Sequence, residues 1–283
     1  MAYYTADEMN DVLNQKPQYR SKLYCRGFLI TTNDSLELNS YPFYGLWKKT
    51  QLNDKYFAYI HPDTNISLIE SGKVTHFLIG HAYNPFSMEY QEKEILKNLD
   101  LKLKENKNAY WDYQSELTGV FCMGIVKDDK IMFETDCTGM QLVFYGTNER
   151  NMYITSHAKM VADICGFNQT KYIQKLINSK FYRYWGTFLP GDISPYQELT
   201  RVQPNFEYIY DISQQSFEFK RFFPNKKIGI VNEEEVEKTF EEISEIMKKN
   251  LCLISKKWPD KAAISVTGGR DSTATLASAK PVY

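Results

Sequence analysis

Residues 262–278, near the end of the sequence, have types and spacing that imply a specific chemistry. The stretch reads AAISVTGGRDSTATLAS. The small and β-branched residues Ala262–Val266 predict a buried strand, and Asp271 and Ser272 are typical first residues of a helix, which we expect to run through Ala279. The glycine loop between them would point backbone N–H groups and the positive end of the helix dipole at one place that an anion can approach closely. The pattern therefore predicts a phosphate-binding loop.

This loop differs from two other phosphate-binding motifs. It lacks the G-x-x-x-x-G-K-[ST] spacing and the lysine of a Walker A loop, and it lacks the G-x-G-x-x-G pattern of dinucleotide-binding proteins. The residues by themselves leave one alternative open, which is an ordinary strand-to-helix turn whose glycines serve backbone geometry alone.

The loop resembles the S-G-G-x-D-S pyrophosphate loop of the N-type ATP pyrophosphatases, a family that includes asparagine synthetase and β-lactam synthetase. The resemblance assigns ATP binding to six residues, Thr267, Gly268, Gly269, Arg270, Asp271 and Ser272. It implies that Thr267 and Ser272 supply hydroxyls, that the glycines supply N–H groups, and that Asp271 supplies a carboxylate that binds Mg²⁺ or shapes the loop. Thr267 stands where the family has serine. Arg270 occupies the variable position, where its charge either reaches a phosphate or faces solvent.

Four upstream segments resemble the same family in the same order. They are residues 117–121 (LTGVF), 136–145 (DCTGMQLVFY), 153–156 (YITS) and 186–204 (GTFLPGDISPYQELTRVQP). Cys137 and Leu142 stand where the family has arginine and proline, and His157 stands where it has glutamate. Together with the loop, these segments extend the resemblance over residues 115–280.

The resemblance implies a glutamine amidotransferase domain of the N-terminal-nucleophile type, a layered αββα sandwich, ahead of the synthetase domain. The cysteine nucleophile of that family directly follows the first methionine, and its free α-amino group acts as the base. Here Ala2 follows Met1, so we expect no glutaminase activity. Cleavage before Cys25 would restore a nucleophile, because the segment 25–29 (CRGFL) resembles the start of such a domain; a buried core cysteine is the alternative.

The family's glutamine-binding signals are also incomplete. The segment 80–84 (GHAYN) lies where G-H-T-R-L is expected, and it lacks the arginine that holds the substrate carboxylate. The N-G-E motif is absent from the sequence. We therefore expect structural roles for His81 and Asn84.

Alternating apolar residues bounded by turn signals predict a run of antiparallel strands that would carry these motifs. The predicted strands are 23–31, 56–61, 66–70, 74–79, 119–126, 130–135, 208–211 and 217–222, and the predicted helices are 89–105, 157–166 and 171–180. Residues 1–20 have only a weak helical pattern and are expected to be a lead-in. The order of elements predicts a layered α+β domain.

The resemblance divides the chain at a linker, 224–229. Residues 1–224 are expected to form a degenerate amidotransferase-like domain, and residues 225–283 the beginning of an α/β, Rossmann-like pyrophosphate-loop domain. Asn232 is expected to cap a helix whose apolar stripe packs in a core; the stripe consists of Val236, Phe240, Ile243, Met247, Leu251 and Ile254. A parallel sheet cannot bury one strand by itself, so we expect the chain to be part of a longer protein.

The composition limits the kinds of partner that we expect for this protein. The 283 residues, 43% hydrophobic and 24% charged, carry a net charge of -1 without a long basic block, which argues against nucleic acid as the main partner. The five scattered cysteines indicate neither a disulfide framework nor a zinc site and are typical of reduced cytoplasmic thiols. Neither a signal peptide nor an apolar run of about 18 residues is found, so we expect no membrane partner.

The resemblance implies an ATP-dependent, AMP-forming ligase that activates a carboxylate as an acyl-adenylate and joins it to an amine. Small-molecule or peptide carboxylates and amines would be the substrates, and ATP and Mg²⁺ the cofactors. The resemblance leaves open whether the protein forms a homodimer. The alternative is a pseudoenzyme in which the nucleotide loop survives as a binding or interaction module without turnover.

Overall fold

The computed structural model describes residues 4–186, 188–224, 229 and 232–282. Its strands are β1 Phe28–Thr31, β2 Lys48–Gln51, β3 Phe57–Ile60, β4 Ile66–Ser71, β5 Val74–Tyr83, β6 Thr118–Lys127, β7 Lys130–Thr135, β8 Phe144–Asn148, β9 Asn151–Thr155, β10 Leu199–Arg201, β11 Phe206–Asp211 and β12 Ser216–Arg221. Its α-helices are α1 Ala6–Gln15, α2 Glu92–Glu105, α3 Lys107–Ser115, α4 Ala158–Cys165, α5 Lys171–Ile177, α6 Lys180–Trp185, α7 Glu233–Lys257 and α8 Arg270–Ser278. Two 3₁₀ helices cover Pro17–Lys22 and Lys280–Val282.

The strands form two six-stranded sheets with antiparallel pairing between neighbours. The first sheet has the order β10-β8-β9-β1-β3-β2, and the second has the order β12-β11-β7-β6-β5-β4. The predicted hairpin between β6 and β7 is confirmed, and Asp128 supports its tight turn with a φ of 50°. The central position of β1 places the residues around it at the middle of the first sheet.

Three clusters of buried side chains fix the order of the layers. Phe28 of β1 and Phe77 of β5 belong to one cluster that draws on both sheets and lies between them. The other face of the first sheet packs with α4 through residues such as Met160, and the other face of the second sheet packs with α2 through residues such as Leu96. The layers therefore run helix, sheet, sheet, helix, which confirms the α+β class and the sandwich expected from the sequence.

The beginning of the chain differs from the prediction. Residues 6–15 form a helix rather than a lead-in, because Thr5 and Glu8 make a reciprocal capping box. The predicted strand 23–31 is shortened to β1, since Tyr24 and Arg26 have φ values of 49° and 59°, which do not fit a strand. The predicted helix 171–180 is two short helices, α5 and α6.

Helix α7 begins as predicted, but its apolar stripe does not form a core. Asn232 Oδ1 accepts a hydrogen bond of 2.9 Å from the Glu235 N–H. Phe240 and Ile243 are 66% and 47% exposed, and none of the six stripe residues is fully buried. The fully buried residue of the helix, Leu253, lies outside the stripe. The prediction that the whole stripe packs in a core was wrong because the helix meets the sandwich only near its C-terminal end.

The predicted strand Ala262–Val266 is not a strand in the structure. These residues form an irregular segment that pairs with none of the described strands, and Val266 is 55% exposed. A strand requires a neighbouring backbone for its ladder of hydrogen bonds. The described residues therefore have a loop and a helix at the predicted positions, but they do not form the sheet of the expected Rossmann-like domain.

Some predictions fall outside the described residues, namely those on Met1, Ala2, Thr187, most of the linker 224–229 and Tyr283. The division into domains at residues 224 and 225 thus stays a prediction. In the described ranges, no helix is both long and apolar enough to cross a membrane.

Candidate functional site

The predicted phosphate-binding loop is a tight turn that leads into α8. The Ser272 hydroxyl donates to the Gly269 carbonyl at 3.0 Å and accepts from the Thr267 N–H at 3.2 Å. The Thr267 hydroxyl lies 3.3 Å from the Ser272 oxygen, and since the Ser272 proton is already used, Thr267 is the donor. Both predicted hydroxyls are therefore brought together across the loop.

The N-terminal end of α8 is open. Residues 267–271 are exposed, and no side chain caps the first turn of the helix. Gly268 has a φ of 76°, a conformation that side chains disfavour, and an added Cβ would find open space there. At Gly269 the nearest atom to an added Cβ would be Thr267 Oγ1 at 3.7 Å. The uncapped N–H groups of the first turn can thus meet an anion without steric obstruction.

A pocket of about 550 Å³ lies beside this loop, between α7 and α8. Ile254 and Trp258 line it from the α7 side, Ile264 from the irregular segment, and Leu276 from α8. Its size falls in the range of small-molecule pockets.

Helix α7 joins this region to the sandwich through a cluster of polar and aromatic side chains. Lys257 forms an ion pair with Glu92 at the start of α2, and the Trp258 Nε1–H donates to the Tyr83 hydroxyl at 3.1 Å. His81 Nδ1 lies 3.0 Å from Glu92 Oε1, and its ring makes an edge contact with Trp258. Asn250 accepts a hydrogen bond from the Thr118 hydroxyl at 2.7 Å.

The two residues expected to be structural make structural contacts. His81 belongs to the cluster just described. Asn84 donates to Glu116 at 3.0 Å, and its carbonyl oxygen accepts the N–H groups of Phe86 and Ser87. Both side chains thus hold neighbouring elements together, as expected from the sequence.

A second group of reactive side chains lies where β1 begins and where its neighbours β3 and β9 end. Because Phe28 pairs with Ile60, the residues just beyond that pair also meet, and the His61 N–H donates to the Gly27 carbonyl at 3.1 Å. Cys25 Sγ lies 3.7 Å from Asp63 Oδ2, and His61 Nδ1 lies 4.0 Å from the same oxygen.

His157 borders this group from β9. Its Nδ1 lies 2.8 Å from the Ser156 hydroxyl, and an added Cβ at Gly27 would come within 3.0 Å of that nitrogen. Burial, together with the nearby His61, lowers the pKa of His157 to about 4. The His157 ring is therefore neutral near pH 7.

A buried carboxyl lies under α3. Burial and the nearby Glu207 charge raise the pKa of Glu134 to about 8, against the opposing effects of Lys107 and the Tyr110 hydroxyl. Tyr110 donates to Glu134 Oε1 at 3.1 Å, while Glu134 Oε2 is buried and has no hydrogen-bond partner among the described residues. Glu134 is therefore largely protonated near pH 7.

Sequence reasoning singled out the loop residues, whose role stays a prediction, but it missed the contacts that depend on sheet register. His61 and Asp63 follow β3 directly, and their approach to Cys25 depends on the pairing of β1 with β3. The only sequence signal was a His-Pro-Asp turn after an apolar strand. Glu92 and Lys257 were missed because 165 residues separate them.

No family model matches the sequence, and the search of curated proteins also finds no match. The similar solved structures include the glutamine phosphoribosylpyrophosphate amidotransferase from B. subtilis, complexed with ADP and GMP. That match has 12% identity and a TM-score of 0.39, and it covers 75% of this chain and 47% of the other. A second is described as the allosteric regulatory enzyme of purine biosynthesis, with 12% identity, a TM-score of 0.41 and coverage of 79% and 48%. This chain thus spans about half the length of both proteins, and neither similarity specifies its function.

Proposed function

We propose that residues 267–272 bind the phosphates of ATP and that the protein is an ATP-dependent, AMP-forming amide-bond ligase. The observation that carries this proposal is the open end of α8, where Ser272 and Thr267 are joined across an exposed glycine turn. No side chain caps this turn, so its backbone N–H groups are available to a ligand.

The residues of the loop fit a triphosphate. The N–H groups of the first turn and the helix dipole favour a negative charge, and the two glycines let it approach the backbone. Asp271 is exposed at the first turn and would hold Mg²⁺, which offsets the charge of the phosphates. Arg270 is also exposed, so its guanidinium is free to reach a phosphate oxygen.

The proposed reaction has two steps. A carboxylate oxygen attacks the α-phosphorus of ATP, and pyrophosphate leaves; an amine then attacks the acyl carbon, and AMP leaves with the bonding electron pair. The loop holds the phosphates that become pyrophosphate, and its N–H groups and hydroxyls stabilise the charge that grows on them. The apolar pocket between α7 and α8 lies beside this loop and is where we place the nonpolar part of a substrate.

The amine in this proposal is ammonia or an amino group of the substrate rather than ammonia released from glutamine. His81 and Asn84 are engaged in structural contacts, and the segment 80–84 offers no arginine for a glutamine carboxylate.

The test is substrate-dependent pyrophosphate release by the full-length protein, with candidate carboxylates supplied in the presence of MgATP. Asp271→Asn and Ser272→Ala should each slow release by roughly tenfold to a thousandfold, the scale of one lost transition-state contact. Thermal stability should change little, since Asp271 is exposed, Ser272 is only partly buried, and neither side chain caps α8.

Ser278→Ala is the matched control. Ser278 is the last residue of α8, and it lies outside residues 267–272 and outside the lining of the pocket. The release rate should therefore stay at the wild-type value. Unchanged turnover in both loop variants would reject the proposal, and retained ATP binding without pyrophosphate release in the wild type would favour a binding module.

A further inference from the structure

We propose that Cys25, His61 and Asp63 form a binding site for a zinc ion at the end of the first sheet where β1 begins and β3 ends. The three potential ligand atoms, the Cys25 sulfur, a His61 ring nitrogen and an Asp63 carboxylate oxygen, all lie within 4.8 Å of one another. The site is separate from the loop at α8 and does not depend on the function proposed above.

The spacing of the ligand atoms is close to that of a tetrahedral zinc site. Bonds of about 2.0–2.3 Å separate the ligand atoms around such an ion by roughly 3.3–3.8 Å. Here Cys25 Sγ and Asp63 Oδ2 are 3.7 Å apart, and His61 Nδ1 and Asp63 Oδ2 are 4.0 Å apart. Coordination therefore requires side-chain shifts of less than about the length of one covalent bond.

His61 is already held in the tautomer that this site needs. Its Nε2 lies 3.2 Å from the Ser21 carbonyl oxygen, and its Nδ1 accepts the Asp63 N–H at 3.1 Å. Nε2 therefore carries the proton, and the lone pair is on Nδ1, the nitrogen nearest Asp63. A histidine ligand that donates its other N–H to a carbonyl is the usual arrangement around a protein-bound metal.

The other two ligands have the freedom to close around an ion. The Asp63 side chain is 57% exposed, and Cys25 is partly exposed, whereas the His61 side chain is 2% exposed. One ligand is thus held in the core, and two lie at the surface, where few contacts restrict their rotamers. The ion would displace the Asp63 N–H from His61 Nδ1, and that N–H lies in an exposed turn where water can replace the lost partner.

The set of donors selects the class of ion. A thiolate and an imidazole are ligands for zinc and similar transition metals, whereas calcium and magnesium take oxygen ligands. Three protein ligands leave a fourth position for water, which is typical of zinc sites that do chemistry rather than of closed structural sites. The spacing of the cysteines does not indicate this site, because the register of β1 and β3 creates it.

The test is a titration of the reduced, untagged chain with Co²⁺, which replaces zinc and reports its ligands by absorption. We expect one ion per chain with a thiolate-to-cobalt charge-transfer band and the strong visible bands of tetrahedral coordination. Addition of Zn²⁺ should displace Co²⁺ and abolish both the charge-transfer band and the visible bands. Cys25→Ser and Asp63→Asn should each weaken Zn²⁺ binding by more than the roughly 10–100-fold that outer partners of a metal contribute.

Cys137→Ser is the matched control, since Cys137 is an exposed thiol at another place. It should leave the bands and the affinity unchanged. Cys25 and Asp63 lie at the surface, so both variants should fold, and circular dichroism of the metal-free proteins checks this. Absence of the charge-transfer band, or its survival in Cys25→Ser, would overturn the proposal.

Discussion

Lys257, at the C-terminal end of α7, forms an ion pair with Glu92, in the first turn of α2, and each side chain is only 11% exposed. Burial raises the pKa of Glu92, but the hydrogen bonds from His81 and Lys257 outweigh it and hold that pKa below its ordinary value. The pair lies in the cluster that attaches α7 to the sandwich. The position of α7, and with it the pocket beside α8, therefore depends on this contact.

Replacement of Lys257 by methionine should loosen this attachment. Methionine keeps an apolar stem of similar length but removes the ammonium group that lies over the Tyr83 ring, and it leaves Glu92 with His81 as its partner. We expect a loss of about 1–3 kcal/mol in the free energy of unfolding, below the 3–5 kcal/mol of a fully buried pair. Urea denaturation measures this loss, and amide hydrogen exchange should be faster in α7.

Lys248→Met is the control on the same helix. Lys248 pairs with Glu245 across one turn, and both side chains are well exposed, so its replacement should cost less than about 0.5 kcal/mol. Equal losses in the two variants would show that the Lys257 contact does not hold α7 in place.

Glu134 should make stability decrease as pH rises. Its folded-state pKa of about 8 lies above the ordinary 4.5, so between these values the unfolded chain releases a proton that the folded chain keeps. The contribution is fully present below about pH 4.5 and is lost as pH rises through about 8, by up to about 1.4 kcal/mol per pH unit. Glu134→Gln retains an acceptor for the Tyr110 hydroxyl and should flatten this dependence.

The measurement is urea denaturation at a series of pH values from 4 to 9. Glu218→Gln removes an exposed carboxylate from β12 and serves as the control. A slope that persists in Glu134→Gln and disappears in Glu218→Gln would contradict the assignment.

Elements with a strong local pattern could be predicted from the sequence. The β6–β7 hairpin followed from two apolar strands around Asp128, and the start of α7 followed from Asn232 three residues before Glu235. Helix α1 was missed although its signals are present in the sequence. Met9, Val12 and Leu13 recur at helical spacing, and Thr5 and Glu8 have the spacing of a capping box.

Features that depend on contacts distant in sequence could not be predicted. The apolar stripe of α7 is continuous in sequence, but the number of its residues that are buried depends on where the helix meets the sandwich. The residues 262–266 have the composition of a strand, yet strand structure also requires a partner. The approach of Cys25 to His61 likewise depends on the pairing of β1 with β3.

Replacement of a large side chain by alanine should change stability differently in the two halves of α7. Phe240 is 66% exposed, and its replacement by alanine should change the free energy of unfolding by less than about 0.5 kcal/mol. Leu253 is fully buried, and Leu253→Ala should cost about 2–5 kcal/mol because it removes buried contacts and leaves a cavity. Denaturation of the two variants side by side checks this contrast. A loss of stability in Phe240→Ala as large as that in Leu253→Ala would show that the N-terminal half of α7 is covered.

His157 should make stability decrease as pH falls. Its folded-state pKa of about 4 lies below the ordinary 6.5, because burial and the neighbouring His61 disfavour the charged ring. Above about pH 6.5 neither state binds the proton, and the full stability is present. Between about 6.5 and 4 the unfolded chain binds a proton that the folded chain excludes, so the free energy of unfolding falls by up to about 1.4 kcal/mol per pH unit. His157→Gln keeps a polar partner for the Ser156 hydroxyl and cannot be protonated, so its stability should vary less over this range. Denaturation midpoints of the two proteins from pH 4 to 7 provide the test, and parallel curves would show that His157 does not titrate as its burial requires.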